Sequence, residues 1–247
     1  DRVEAAGGVE SVVELHRLDA LAAAPTPAVA RRVAATPRTH LVGCPPDAVA
    51  RHAALVDRAL SSVHDVEVGV LPAASATTWI IDVAARDRPG LLAAVAAALL
   101  DAGIDVIDAV ATTWPDGGAI ESFLVRSERA PDSTALAMTA EAQLRRPINS
   151  LPLPGAALTF DNTSSPWHTT LVVEASDRRG VLRAVASAIA AAGATVHAAH
   201  VETAGGTACD RFDVSRRDGS KLTDADCEAV RRALDAGTVR RRKLLAR

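Results

Sequence analysis

The chain has no tyrosine, a single methionine and only 2 % aromatic residues among 247. Its core must therefore come from Ala, Val, Leu and Ile. Lysine is nearly absent too, with Lys221 and Lys243 the only examples. The three cysteines, Cys44, Cys209 and Cys227, are widely separated and form no CxxC pair. That excludes a disulfide framework and matches no zinc signature, and it fits a reducing compartment such as the cytoplasm. Cys209 and Cys227 read as buried small hydrophobes. No apolar run reaches the ~18 uncharged residues of a membrane span; Asp101 and Asp105 interrupt the most apolar region. A signal peptide pattern is missing. The first residue is Asp1 rather than Met, so a longer parent chain is expected.

Catalytic signatures are missing as well. The sequence holds no G-x-S-x-G and no glycine-rich phosphate loop. Its seven histidines are scattered. His197 and His200 lie three apart on an expected strand, which points them to opposite faces. The one His-Asp doublet, His64-Asp65, precedes a β run and reads as a solvated turn. Asp101, Asp105 and Asp108 read as a solvated helix end. A net charge of −3 and a pI near 6.2 exclude a globally basic nucleic-acid binder. The locally basic tail "RRALDAGTVRRRKLLAR" reads as a solvated helix end.

Apolar residues make up 49 % of the chain, enough for about two folded domains. Residues 1–63 read as helical. In "VESVVELHRLDALAAA", Val9, Val12, Val13 and His16 share one face. "PPDAVARHAALVDRALSSV" starts on Pro45 and Pro46 and should bury Val49, Leu55, Val56 and Leu60. Leu41 and Val42 could staple its start. At "VEVGVLPAASATTWIIDVAA" the period changes to two, as in a hairpin.

Beyond this point the chain repeats itself. "DRPGLLAAVAAALLDAG", Asp87 to Gly103, matches "DRRGVLRAVASAIAAAG", Asp177 to Gly193, at about 10 of 17 positions. Each copy reads strand, turn, helix, strand, hairpin turn, strand, helix. "GAALTFD" is a candidate fourth strand for the first copy, and "GTVRRRKLL" a weak one for the second. The expected fold class is α+β, with two ferredoxin-like βαββαβ domains after an N-terminal helical segment. The divisions are 1–63 for the helical lead-in, 64–161 for the first copy with its preceding strand, and 162–247 for the second. Asp87 and Asp177 sit where a helix N-cap belongs. Gly90 and Gly180 clear space for an approach to the helix start, and free N–H groups there attract carboxylates. A tight structural turn is the alternative.

D-R-P-G-L-L after a strand, then an alanine-rich helix, "DAG" and a strand, resembles the ACT domain. The resemblance covers about Thr77 to Asp161 and His168 to the C-terminus. It implies a regulatory module that binds an amino acid between paired domains, within or between chains. The implied contacts are Asp87, Arg88, Gly90, Leu91 and Leu92, and Asp177, Arg178, Gly180, Val181 and Leu182. The first turn is closer to the family pattern; in the second, Arg179 replaces the proline.

Tandem copies behind "HLVGCPPDAVARHAALVDRAL" are similar to the end of bifunctional enzymes that attach and remove a uridylyl group on the PII signalling protein. In those enzymes the segment follows an HD hydrolase domain, whose last helix "VVELHRLDALAAAPTP" resembles. That likeness implies glutamine as ligand, PII as partner of a full-length enzyme, and Mg only in an upstream catalytic domain. The constellation of nucleotidyltransfer, a Gly-Ser turn with a D-x-D pair that holds metal and triphosphate, is not assigned here: the one D-x-D, Asp224-Ala225-Asp226, opens an expected helix capped by Thr223 or Asp224. No catalytic residue, metal ligand or cofactor is therefore assigned to this chain. A ligand-free interaction module is the second reading.

Overall fold

The computed structural model describes residues 9–236. The weak strand expected in 237–245 lies outside them. The chain divides into two compact units: residues 1–87 with 109–141, and residues 88–108 with 142–247. The division falls inside the first repeat and places that repeat's first helix with the second copy.

Among the described residues the first unit opens with the helices α1 (Val9–Ala22), α2 (Pro27–Ala34), α3 (Arg38–Gly43) and α4 (Pro46–Ser61). Thr26 caps α2 by accepting from the Val29 N–H at 3.2 Å, with Pro27 in the first turn. Pro46 likewise opens α4, which buries Val49, Leu55 and Val56 as expected and leaves Leu60 half-buried. Val13 is buried on α1, and His16 bonds the Leu41 carbonyl at 2.9 Å. Leu41 is fully buried but Val42 is 55 % exposed. The expected staple is thus half right, because these two residues lie on the short helix α3, where neighbours point in different directions.

The strands of this unit are β1 (Val66–Pro72), β2 (Thr78–Arg86), the end of β3 (Asp105–Thr113) and β4 (Gly118–Arg126), in the order β1-β2-β4-β3. Leu55, Val56 and Ala59 of α4 pack with Ala84, Ile120 and Trp114. Trp114 is 2 % exposed, and its indole N–H donates to the Arg32 carbonyl at 3.1 Å. Helix α6 (Ser133–Leu144) begins in this unit.

Gly118 sets how closely α4 approaches the sheet. A Cβ built there would stand 2.5 Å from Val56 Cγ1 and 3.2 Å from Leu60 Cδ1. Gly118→Ala is therefore expected to destabilise the protein by about 1–3 kcal/mol. Chemical denaturation measures this, and an unchanged midpoint would refute the close-packing account.

The second unit holds α5 (Leu91–Asp101), the start of β3, and β5 (Ala157–Asp161), β6 (Thr169–Ser176), α7 (Val181–Ala191), β7 (Ala194–Ala204), β8 (Thr207–Arg216) and α8 (Asp224–Ala236). Its strand order is β7-β8-β6-β5. Thr223 caps α8 in a reciprocal pair: its hydroxyl accepts from the Asp226 N–H at 3.3 Å, and Asp226 accepts from the Thr223 N–H at 2.9 Å.

The fourth-strand position is filled in an unexpected way. β5, expected to complete the first copy, pairs antiparallel with β6 of the second, Phe160 opposite Leu171. In the first unit the equivalent edge of β2 is taken by β1, Val68 opposite Val83. Each ferredoxin-like set thus receives its edge strand from the segment before it, because a short loop joins the two in an antiparallel hairpin. Cys227 is buried as expected, whereas Cys209 is exposed. Cys209 faces Glu174 in the β6–β8 register, on the solvated side of a strand that buries the alternate residues Ala208, Asp210, Phe212 and Val214. Among the described residues no helix is long and apolar enough to cross a membrane.

Candidate functional site

Each repeated turn leaves a strand, reverses on a glycine and enters a helix. Gly90, at φ 86°, and Gly180, at φ 89°, are the N-cap residues of α5 and α7. Such left-handed backbone favours glycine. The expected aspartate caps are corrected by this geometry. A turn intervenes between each aspartate and its helix, closed by Leu91 N–H to Arg88 O at 3.1 Å and Val181 N–H to Arg178 O at 3.3 Å. Asp87 and Asp177 instead donate their backbone N–H groups to hairpin glycines, to Gly117 O at 2.7 Å and Gly206 O at 2.9 Å.

Within the second unit α5 and α7 pack against each other with reciprocal geometry. A Cβ at Gly180 would meet Leu100 at 3.3 Å, and one at Gly90 would meet Ala190 at 3.9 Å. Leu100 and Ala190 hold the same place in the two copies, so each turn lies against the far end of the other copy's helix. The replacement of Pro89 by Arg179 has a use here. The Arg179 guanidinium donates to the Gly103 carbonyl just past the end of α5, where a cation complements the helix dipole.

Five of the residues implied by resemblance come together at the second turn. Asp177, Arg178, Gly180, Val181 and Leu182 line one cleft, with Leu100, Ile104 and Asp210. Arg178 also donates to the Pro152 carbonyl at 3.1 Å. The first turn is arranged differently. Gly90 lines a second cleft with Pro89, Gln143 and Ile148, and Ile148 Cδ1 stands 3.1 Å from where a Gly90 Cβ would be. Leu91 and Leu92 are buried, Arg88 is half-buried, and Asp87 belongs to the first unit.

Two buried acids escaped the sequence reading. Glu121 on β4 faces Val83, and Asp210 on β8 faces Val173. Each lies four residues beyond the hairpin glycine that receives the turn aspartate. Burial, then the nearby Asp87 charge, pushes Glu121 up to about 8. Burial likewise raises Asp210 to about 7; the Glu202 backbone offsets part of this and Asp177 adds to it. Neither Asp210 oxygen accepts a hydrogen bond of good geometry. Aligning "AIESF" with "ACDRF" would have revealed the shared acidic position.

A separate polar group is buried in the first unit. Asp82, 1 % exposed on β2, accepts from Ser122 Oγ at 2.6 Å and Arg51 Nε at 2.8 Å, and pairs with His52 Nε2 at 3.1 Å. Burial alone would raise its carboxyl, but these partners outweigh that and hold it down at about 2. His40 lies 3.0 Å from His52. The exposed His64 is 3.9 Å from Glu141, and no metal cluster includes it among the described residues.

Residues 79–142 match the ACT domain family. The chain is also similar to the bifunctional uridylyltransferase/uridylyl-removing enzyme of Rhodospirillum rubrum, at 32 % identity over 209 residues, covering 75 % of this chain and 22 % of that protein. The Novosphingobium aromaticivorans enzyme of the same name is 32 % identical over 222 residues, covering 81 % of this chain and 24 % of the relative. That of Phenylobacterium zucineum is 36 % identical over 166 residues, 58 % and 18 % of the two chains. This chain spans less than a quarter of the length of these relatives. The chain thus has a ferredoxin-like fold with an ACT domain at residues 79–142, and about three quarters of it is similar to part of bifunctional uridylyltransferase/uridylyl-removing enzymes.

Proposed function

We propose that this chain is an amino-acid-sensing regulatory segment, that its ligand is glutamine, and that in a longer protein it tips uridylylation of PII against removal of the group. The observation that carries this reading is the cleft at the second turn, where Asp177 and the buried, poorly satisfied Asp210 face the start of α7. A ligand ammonium satisfies those carboxylates. Its carboxylate is favoured by the positive end of the α7 dipole. Because the cleft is also lined by Leu100 and Ile104, the ligand touches the end of one copy and the turn of the other. A tenfold preference for one arrangement of the copies then shifts their balance by about 1.4 kcal/mol.

Calorimetry with L-glutamine tests this. Saturable heat is expected in the wild type, with affinity rising as pH passes through 7 and Asp210 ionises. Asp210→Asn should weaken binding at least tenfold. No heat and no thermal shift with glutamine would remove the proposal. The close contacts of Leu100 and Ile148 at the two turn glycines favour the second reading, a ligand-free pairing module. That reading predicts an assembly state by light scattering that no amino acid changes.

A further inference from the structure

Three residues that the cysteine-spacing templates passed over meet inside the helical lead-in. His40 lies on α3, Cys44 follows at its C-cap, and His52 lies on α4. They are 4 %, 7 % and 1 % exposed. Cys44 Sγ is 3.6 Å from His40 Nδ1, and His40 Nε2 is 3.0 Å from His52 Nδ1. One donor atom from each residue falls within 4.8 Å of the others.

The surroundings fix which atoms carry lone pairs. Asp82 has only acceptor oxygens, and Arg51 and Ser122 already donate to it. His52 Nε2, facing Asp82 Oδ1 at 3.1 Å, must then hold the ring proton. Its Nδ1 is left as a lone pair turned toward His40. A carboxylate behind a histidine in this way is the usual support of a metal ligand. The 3.0 Å separation of His40 Nε2 and His52 Nδ1 is close to that of neighbouring ligands in a tetrahedral site with Zn–N near 2.0–2.1 Å. The donor set of one thiol and two imidazoles suits a borderline-soft divalent cation and does not suit magnesium or calcium.

We propose that His40, Cys44 and His52 form a binding site for a thiophilic divalent cation of the zinc class, with Asp82 as the positioning carboxylate behind His52. On binding, the cation takes the place of the thiol proton, which is released to solvent, and the His40 ring proton moves from Nε2 to Nδ1, beside the Cys44 sulfur, so that His40 Nε2 and His52 Nδ1 both offer lone pairs to the cation. The site staples α3 to α4.

Cobalt(II) is the probe. Chelator-treated protein titrated with Co(II) is expected to show one equivalent of thiolate-to-cobalt charge-transfer absorption in the near ultraviolet, abolished by one equivalent of zinc. Cys44→Ser should remove the band while preserving the circular dichroism of the fold. The Cys209→Ser, Cys227→Ser double variant should keep it. His52→Ala should weaken cobalt binding at least tenfold. No band in wild type, or a band that survives Cys44→Ser, overturns the proposal, as does its loss in the double variant. None of these outcomes depends on an amino acid binding at the repeated turns.

Discussion

Glu121→Gln is expected to stabilise the protein by several kcal/mol at pH 9 and to change it little at pH 4. Glu121 is buried, and its carboxyl is raised from 4.5 to about 8, chiefly by burial and secondarily by Asp87. The folded state therefore holds a proton that the unfolded chain has already released. Such a group leaves stability intact below the unfolded pKa and erodes it as pH rises from about 4.5 through about 8. The full displacement corresponds to roughly 5 kcal/mol. Glutamine retains the shape and stays neutral, so the variant's stability curve should be flatter across that window. Urea midpoints at pH 4, 6, 8 and 9 measure the difference. Parallel curves for the two proteins would show that Glu121 is ionised in the folded state.

The opposite sign is expected at Asp82. Asp82→Ala should cost about 3–5 kcal/mol, since it leaves Arg51, His52 and Ser122 facing an uncompensated gap. Most of that is the penalty of orphaned partners, so Ser122→Ala alone should cost far less, about 1 kcal/mol. Denaturant unfolding of both variants checks the ratio. Equal, small losses would mean that the cluster relaxes and takes in solvent. The two acids sit on neighbouring, hydrogen-bonded strands, β2 and β4, yet burial has opposite consequences for them. Asp82 has three hydrogen-bond donors, one of them a guanidinium, whereas Glu121 has a like charge nearby.

The helices, strands and repeat were legible because period and punctuation carry them. Alternation marked β1 and β2, and Gly103 and Gly193 ended their helices in left-handed conformation. Pairing was less legible. Nothing in "GAALTFD" says which strand it will join; a short connection to β6 decided it. The N-caps were misread because D-R-x-G looks like a cap but contains a further turn. At the candidate site, the turn residues could be found from the motif. Asp210 and Glu121 stand out only when the two copies are aligned, since a single acid within one strand looks the same whether it faces solvent or core. His40 and Cys44 lie one helical turn apart, but only the meeting of α3 and α4 brings His52 to them, which linear spacing does not encode.

The edge strands carry a consequence for synthesis. A ribosome releases the chain from its N-terminus, and in both halves the outer strand, β1 or β5, emerges before the strand it pairs with. Each sheet's first pairing is then a local hairpin that forms as soon as the next strand leaves the exit tunnel, without waiting for distant chain. An unfinished product that stops between the copies already has that edge of its sheet covered, which limits its chance to recruit a neighbouring nascent chain.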